Sequence, residues 1–168
     1  MPDVPSWALA LTYWLHLLAT VTWVGSLVSI SALILPAATR NLKPVDQLAV
    51  ISTIQQRLEP IAWFSLSLLI VTGLFQMSVN EHYNGFLSTS NQWSISILVK
   101  HILVVIMIVV SAVHTWEVLP AIRRALMRKD QADPEVLDKL GRRERSLLRI
   151  NLILALLILL AAAFARAS

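Results

Sequence analysis

The residues able to do chemistry in this sequence are few and of one kind. Four histidines, four methionines and no cysteine leave imidazole and thioether as the soft donors. Disulfides, thiolate metal sites, cysteine-ligated iron–sulfur clusters and thioether-linked haem are excluded. His16, Lys100, His101 and His114 fall within long apolar stretches, whereas His82 falls in a polar connection, where it could capture an ion. Ionisable groups in such stretches are rare and face the protein interior or a cavity. His16 follows Trp7 by nine residues and His101 follows Trp93 by eight, ~13 and ~12 Å along a helix rising ~1.5 Å per residue. With both tryptophans as interface anchors, the two imidazoles reach one level on two helices that run the same way. Bundle cores are where such pairs hold a metal or haem iron. Here His16 and His101 would be axial ligands of a b-type haem that transfers electrons, Lys100 a propionate partner, and Trp23 and Met107 its walls. His114, ~20 Å deeper than His101, shares the Lys100 face and is the second-choice ligand. The same donor set suits copper, because imidazole binds copper and thioether binds Cu(I). His16, Met77, Met107 and His114 would then mark a path, with His101 a further metal donor. A third reading has no cofactor: histidines bond between helices, Lys100 snorkels, methionines pack, and the chain is a structural subunit of a membrane complex.

The elements that must position these residues follow from composition. Of 168 residues, 57% are hydrophobic and 14% charged, with mean hydropathy +0.68, against ~25% charged in soluble domains. Four stretches have the ~20 apolar residues that cross a ~30 Å hydrocarbon layer as helix. They run from about 7–35, stopped by Pro36; 60–79, with Pro60 at a helix start; 93–119, stopped by Pro120; and 147–164. The fold class expected is therefore all-α: one integral membrane domain, residues 1–168, built as a four-helix transmembrane bundle in contact with the lipid bilayer. The loops 36–59 and 120–146 carry Arg40, Lys43, Arg57, Arg123, Arg124, Arg128, Lys129, Lys139, Arg142, Arg143 and Arg145, with Arg149 just inside the last span. The positive-inside rule places both loops in the cytoplasm and both termini outside, in a multi-pass cytoplasmic (inner) membrane protein. The net charge of +4 is thus a topology signal rather than a nucleic-acid footprint. Zinc-protease, phosphate-loop and nucleophile-elbow motifs are absent. This leaves no hydrolase or transferase signature and an oxidoreductase component as the enzymatic class still open. A homo-oligomer or a larger membrane complex is compatible with this reading.

Within the spans, polar residues form stripes. At about 100° per residue, Ser96, Lys100, Met107, Ser111, His114, Thr115 and His101 occupy an arc of roughly 140° on the third span. Ser65, Thr72 and Gln76 align on the second. Thr12, His16, Thr20 and Trp23 form one stripe on the first span. Thr22, Gly25, Ser26 and Ser29 form another, small enough for close helix contact. Asn151 is the clearly polar residue of the fourth. No carboxylate falls at mid-membrane. Asp133-Pro134-Glu135 reads as the start of a short helix ended by Gly141.

Some of these residues also fall in a recognisable order. Leu15-His16-Leu17-Leu18 is followed by Trp23-Val24-Gly25 and closes on Leu35-Pro36; Arg57 precedes Val71-Thr72-Gly73; Lys100, Met107 and His114 precede Pro120. From Leu15 to Arg123 this resembles the membrane domain of the copper resistance protein D (CopD-like) family. The resemblance implies a cytoplasmic-membrane protein linked to copper handling, with uptake from the outer side. A looser similarity joins the chain to small four-helix haem proteins, the membrane protoporphyrinogen oxidase type among them. These carry a His in span one and Lys plus His in span three.

Overall fold

The computed structural model describes residues 4–83, 85–127 and 133–167. Arg128 and Lys129 of the basic loop lie outside them. The described residues are all-helical, with no strand, and form four helices long and apolar enough to cross a membrane: α1 (Ser6–Asn41), α2 (Pro44–Ser78), α3 (Gln92–Met127) and α4 (Pro134–Ala167). Starts are set by local chemistry. Pro44 and Pro134 occupy first-turn positions, where a missing N–H costs nothing. The Asn91 side chain accepts from the Ser94 N–H at 2.7 Å, and Asp133 Oδ1 accepts from the Glu135 N–H at 2.9 Å, both as N-caps. Between α2 and α3 the chain turns through Gly85, whose φ of 111° is open to glycine at no steric cost.

At 34 to 36 residues each helix is ~50 Å long and overshoots the ~30 Å hydrocarbon layer. The overshoot corrects four expectations. Pro36 and Pro120 do not stop their helices, Pro60 lies inside α2 rather than at a start, and Gly141 lies inside α4. The loops expected at 36–59 and 120–146 are largely helix. Proline is accommodated by two π-helical turns, Ser29–Ile34 and His114–Val118, each just ahead of a Leu-Pro pair. There the Leu35 N–H bonds to the Ile30 carbonyl and the Leu119 N–H to the His114 carbonyl, five residues back instead of four. The register shifts by one residue where proline has no N–H to give.

α1 packs chiefly on α2 and α3 on α4, so α1 and α3 stand on the diagonal. One core cluster, Trp23, Leu66, Met107, Leu154 and Ile158, joins all four helices at mid-bundle. A second, Leu48, Val118, Ile122 and Leu137, binds the overshooting ends of α2, α3 and α4. We call this the basic end, because Arg57, Arg123, Arg142, Arg143 and Arg145 fall on these segments of the three helices. The opposite end, where α1 starts and α4 stops, is the terminal end. Val99, Ile102, Val105, Ile106 and Val109 of α3 are exposed while Met107 is 1% exposed. That is the inside-out pattern of a helix with lipid on one face and protein on the other. This is a multi-pass membrane protein whose apolar outer surface contacts the bilayer.

Candidate functional site

Contacts with α2 set the level of each candidate residue. At the terminal end Met77 is buried with Trp93 and Ala165. Trp93, expected as an interface anchor, instead closes the core there at 8% exposure, whereas Trp7 is 69% exposed. His82 is exposed beside Trp93, ring centroids 6.3 Å apart.

One level in, His16 Nδ1 meets Thr72 Oγ1 at 2.8 Å. The Thr72 hydroxyl has a single proton, and its 2.6 Å bond to the Leu68 carbonyl uses it. Thr72 oxygen therefore accepts from His16 Nδ1–H, which fixes the tautomer and leaves Nε2 with its lone pair. The ring sits close against α2 because residue 73 is glycine: a Cβ there would stand 3.3 Å from His16 Cε1. Gln76 Nε2 donates to the Thr12 carbonyl one turn away, at 3.2 Å. Lys100, half-buried on α3, is within electrostatic reach of the ring. His101, next along the chain, turns another way. Its Nδ1 meets its own helix at the Ile97 carbonyl, 2.7 Å, and its ring lies edge-on to Phe86 at 5.0 Å. A carbonyl only accepts, so His101 too is held as the Nδ1–H tautomer with Nε2 free. Among the described residues no hydrogen bond or ring contact joins the two histidines.

Deeper, Met107 packs with Trp23 and Leu66. Beyond it opens a cavity of about 80 Å³ lined by Trp23, Gln55, Trp63, Ser111, His114 and Asn151 among others, room for several waters. Trp63 stacks on Trp116 at 5.5 Å beside it, and Asn151 Nδ2 donates to Ser111 Oγ at 3.2 Å. Gln55 Nε2 lies 3.4 Å from His114 Nε2. His114 itself opens the second π turn, the kind of distortion that recurs at functional sites.

The structure thus places Met77, His16 with Thr72 and Lys100, Met107, and His114 with Gln55 at four successive levels. Gly25, expected in a close helix contact, has no atom within 4 Å of a Cβ built on it. Sequence reading missed three residues. Thr72 was legible as a stripe but not as the histidine's acceptor. Gln55 and Glu144 were placed in solvated loops, yet they are 4% and 1% exposed. No local signal marks them, because their burial depends on the helical overshoot. Among the described residues no three His, Cys, Asp or Glu side chains converge on a metal position.

Comparison with known proteins adds one finding. The family model of copper resistance protein D matches residues 52–165, about two thirds of the chain, covering most of α2, all of α3 and nearly all of α4 while leaving out α1 with His16. No curated protein and no solved structure matches. A match of that extent over the helices that carry Thr72, Met107 and His114 decides the question of kinship: the chain belongs to the CopD family, and is a copper-related integral membrane protein.

Proposed function

We propose that this protein passes copper(I) across the cytoplasmic membrane, with its basic end in the cytoplasm as the positive-inside rule requires. The observation that carries the reading is the succession of soft donors inside the bundle. Met77, His16, Met107 and His114 stand level with Met77, Thr72, Leu66 and Gln55 of α2, with steps of roughly 8, 9 and 16 Å at ~1.5 Å per residue. Thioether and imidazole are Cu(I) ligands, and the ion accepts few of them at once. A succession of sparse sites binds firmly enough to admit an ion and weakly enough to release it. At His16 the free Nε2 would bind the ion, and Lys100, when charged, would keep the hold weak. The cavity beyond Met107, large enough for waters, would receive the ion for release at the basic end.

A second reading keeps one observation in its favour. His16 and His101 are both held through Nδ1 and both offer Nε2, as axial ligands of haem b do. The apolar hollow near their level, between Val99 and Leu103 of α3 and Leu157 and Leu160 of α4, has neither histidine in its lining, and His101 would have to leave Phe86 to face His16. Copper is the better fit.

The test is flux. Proteoliposomes enclosing a Cu(I) chelator should take up copper faster with the protein than without. Met107→Leu, which keeps the packing volume and removes the sulfur, should slow uptake at least tenfold, as should His16→Ala. Uptake no faster than in empty vesicles defeats the copper reading. Sharp visible bands from the purified protein, lost in His16→Ala and in His101→Ala, would replace it with haem.

A further inference from the structure

The side chain least expected inside this protein is Glu144. It sits in an Arg-Arg-Glu-Arg run, yet it is 1% exposed. Its helix face, Glu144, Leu148 and Asn151, points inward, between the mid-bundle core and the Leu48, Val118, Ile122 and Leu137 cluster. Neither carboxyl oxygen of Glu144 has a hydrogen-bond partner among the described residues, and Oε1 of Gln55 has none either. The Gln55 amide lies beside Glu144 without completing a bond of ordinary geometry.

The charges around it do not answer this. On its own helix Arg145 acts on Glu144, but its guanidinium folds back over Gly141, with Nη1 3.4 Å from where a Cβ would stand. No ion pair joins it to Glu144. From α2 come the neutral Gln55 and Glu59, and Glu59 faces Arg123 of α3 at 3.8 Å. From α3 also come Glu117, paired with Arg143 at 2.7 Å, and His114, which meets Gln55 Nε2. Three acceptor oxygens are gathered in an apolar setting, and the Gln55 amide N–H that reaches toward Glu144 completes no hydrogen bond to either carboxyl oxygen. A carboxylate buried this way is strongly disfavoured, and the group takes a proton instead. A single proton settles the arrangement: as a neutral acid Glu144 becomes a donor, and the Gln55 amide, turned over, would offer it the orphaned oxygen.

We propose that Glu144 and Gln55 form a proton-binding site at the basic end of the bundle, in which Glu144 holds the proton and donates it to Gln55 Oε1 at the cavity wall. The proton comes from water and returns to water as the carboxylate forms. Because Gln55 also lines the cavity, the proton site borders the place where a cation would arrive. Proton binding itself does not depend on which cation arrives, so the test uses the metal-free protein and its failure leaves the copper reading standing.

Infrared difference spectra of the full chain in lipid at pH 7 provide the measurement. A protonated-carboxyl C=O stretch is expected in the wild type. It should disappear in Glu144→Gln, which should melt with the wild type because its amide N–H can serve the same Gln55 oxygen. In Gln55→Leu the band should shift, its O–H having lost the acceptor. No such band in the wild type overturns the proposal, as does a band that survives Glu144→Gln. Should Glu144→Gln fail to fold, an unshifted band in Gln55→Leu overturns it equally.

Discussion

Thr72→Val tests the arrangement at His16 most directly. The change keeps the shape of a residue that is 5% exposed and removes the oxygen that His16 Nδ1–H reaches at 2.8 Å. Two magnitudes separate its effects. Side-chain hydrogen bonds between membrane helices are worth ~0.6 kcal/mol on average and ~1.7 at most. The bond from the Thr72 hydroxyl back to Leu68 contributes little to the helix, since such bonds compete with its backbone. Stability should therefore fall by about 1 kcal/mol, a few degrees in thermal unfolding. The partner of a ligating imidazole matters more to the metal than to the fold. Losing it frees the tautomer and the ring orientation, and typically costs ~10–100-fold in metal affinity, or ~1.4–2.8 kcal/mol. Competition against a Cu(I) chelator should show that loss in Thr72→Val, near-complete loss in His16→Ala, and recovery in Thr72→Ser, which restores the acceptor. An affinity within twofold of wild type in Thr72→Val would mean that His16 is not a ligand. A loss equal to that of His16→Ala, with no recovery in Thr72→Ser, would mean that the residue shapes the helix rather than the ring.

Two further substitutions probe neighbouring steps. Gly73→Ala puts a Cβ 3.3 Å from His16 Cε1, so the ring must give by a few tenths of an ångström; chelator competition should register weaker copper binding while the melting temperature stays near wild type. Asn91→Ala removes the cap at the start of α3 and should lower stability by ~1 kcal/mol in a thermal melt, with the Thr72-dependent part of copper affinity unchanged, because the cap lies away from the His16 ring.

The four crossings were legible because twenty apolar residues have no other economical fate than a helix in lipid. The inward stripes were legible because helical periodicity is a local property: Ser65 and Thr72 are buried where the count at 100° per residue puts them. What the sequence could not reveal depends on tertiary contact. The equal level expected of His16 and His101 is a statement about distance along two helices, counted from Trp93, which proves to be a core residue. Which way each ring turns depends on Thr72, 56 residues away from His16, and on Phe86 in the connection. Likewise the Arg-rich segment around Glu144 reads as a solvated loop until the ends of α2 and α3 are known to overshoot the membrane and cover it. The copper donors follow the same division, since Met107 was placed inside by its position on a stripe while the cavity beyond it had no signature in any single helix.

The π turn in α3 shows how one residue can defeat periodicity, and suggests its own test. Counted from Met107 at about 100° per residue, Leu119 falls at ~120° and Ile122 at ~60°, at the far edge of the polar arc and midway round it, both turned away from the Met107 line. Both are nonetheless buried, at 1% and 0% exposure. The turn at His114–Val118 takes up one extra residue and sets everything after it back by about 100°, to ~20° and ~−40°, on the Met107 face. Its cost is a carbonyl at Thr115 with no backbone donor four or five residues on, since the Leu119 N–H goes to His114 and Pro120 has none. Removing that one residue should therefore be tolerated where the turn lies and nowhere else in the helix. A variant lacking Trp116, which is 71% exposed, combined with Pro120→Ala to relieve the proline clash of a regular helix, should fold with Met107 and Ile122 both still buried. Deletion of Val109, 57% exposed but in regular helix, should rotate one half of α3 against the other and abolish the cooperative melt. If the two deletions prove equally damaging, the turn is not a register device and the burial of Leu119 and Ile122 needs another cause.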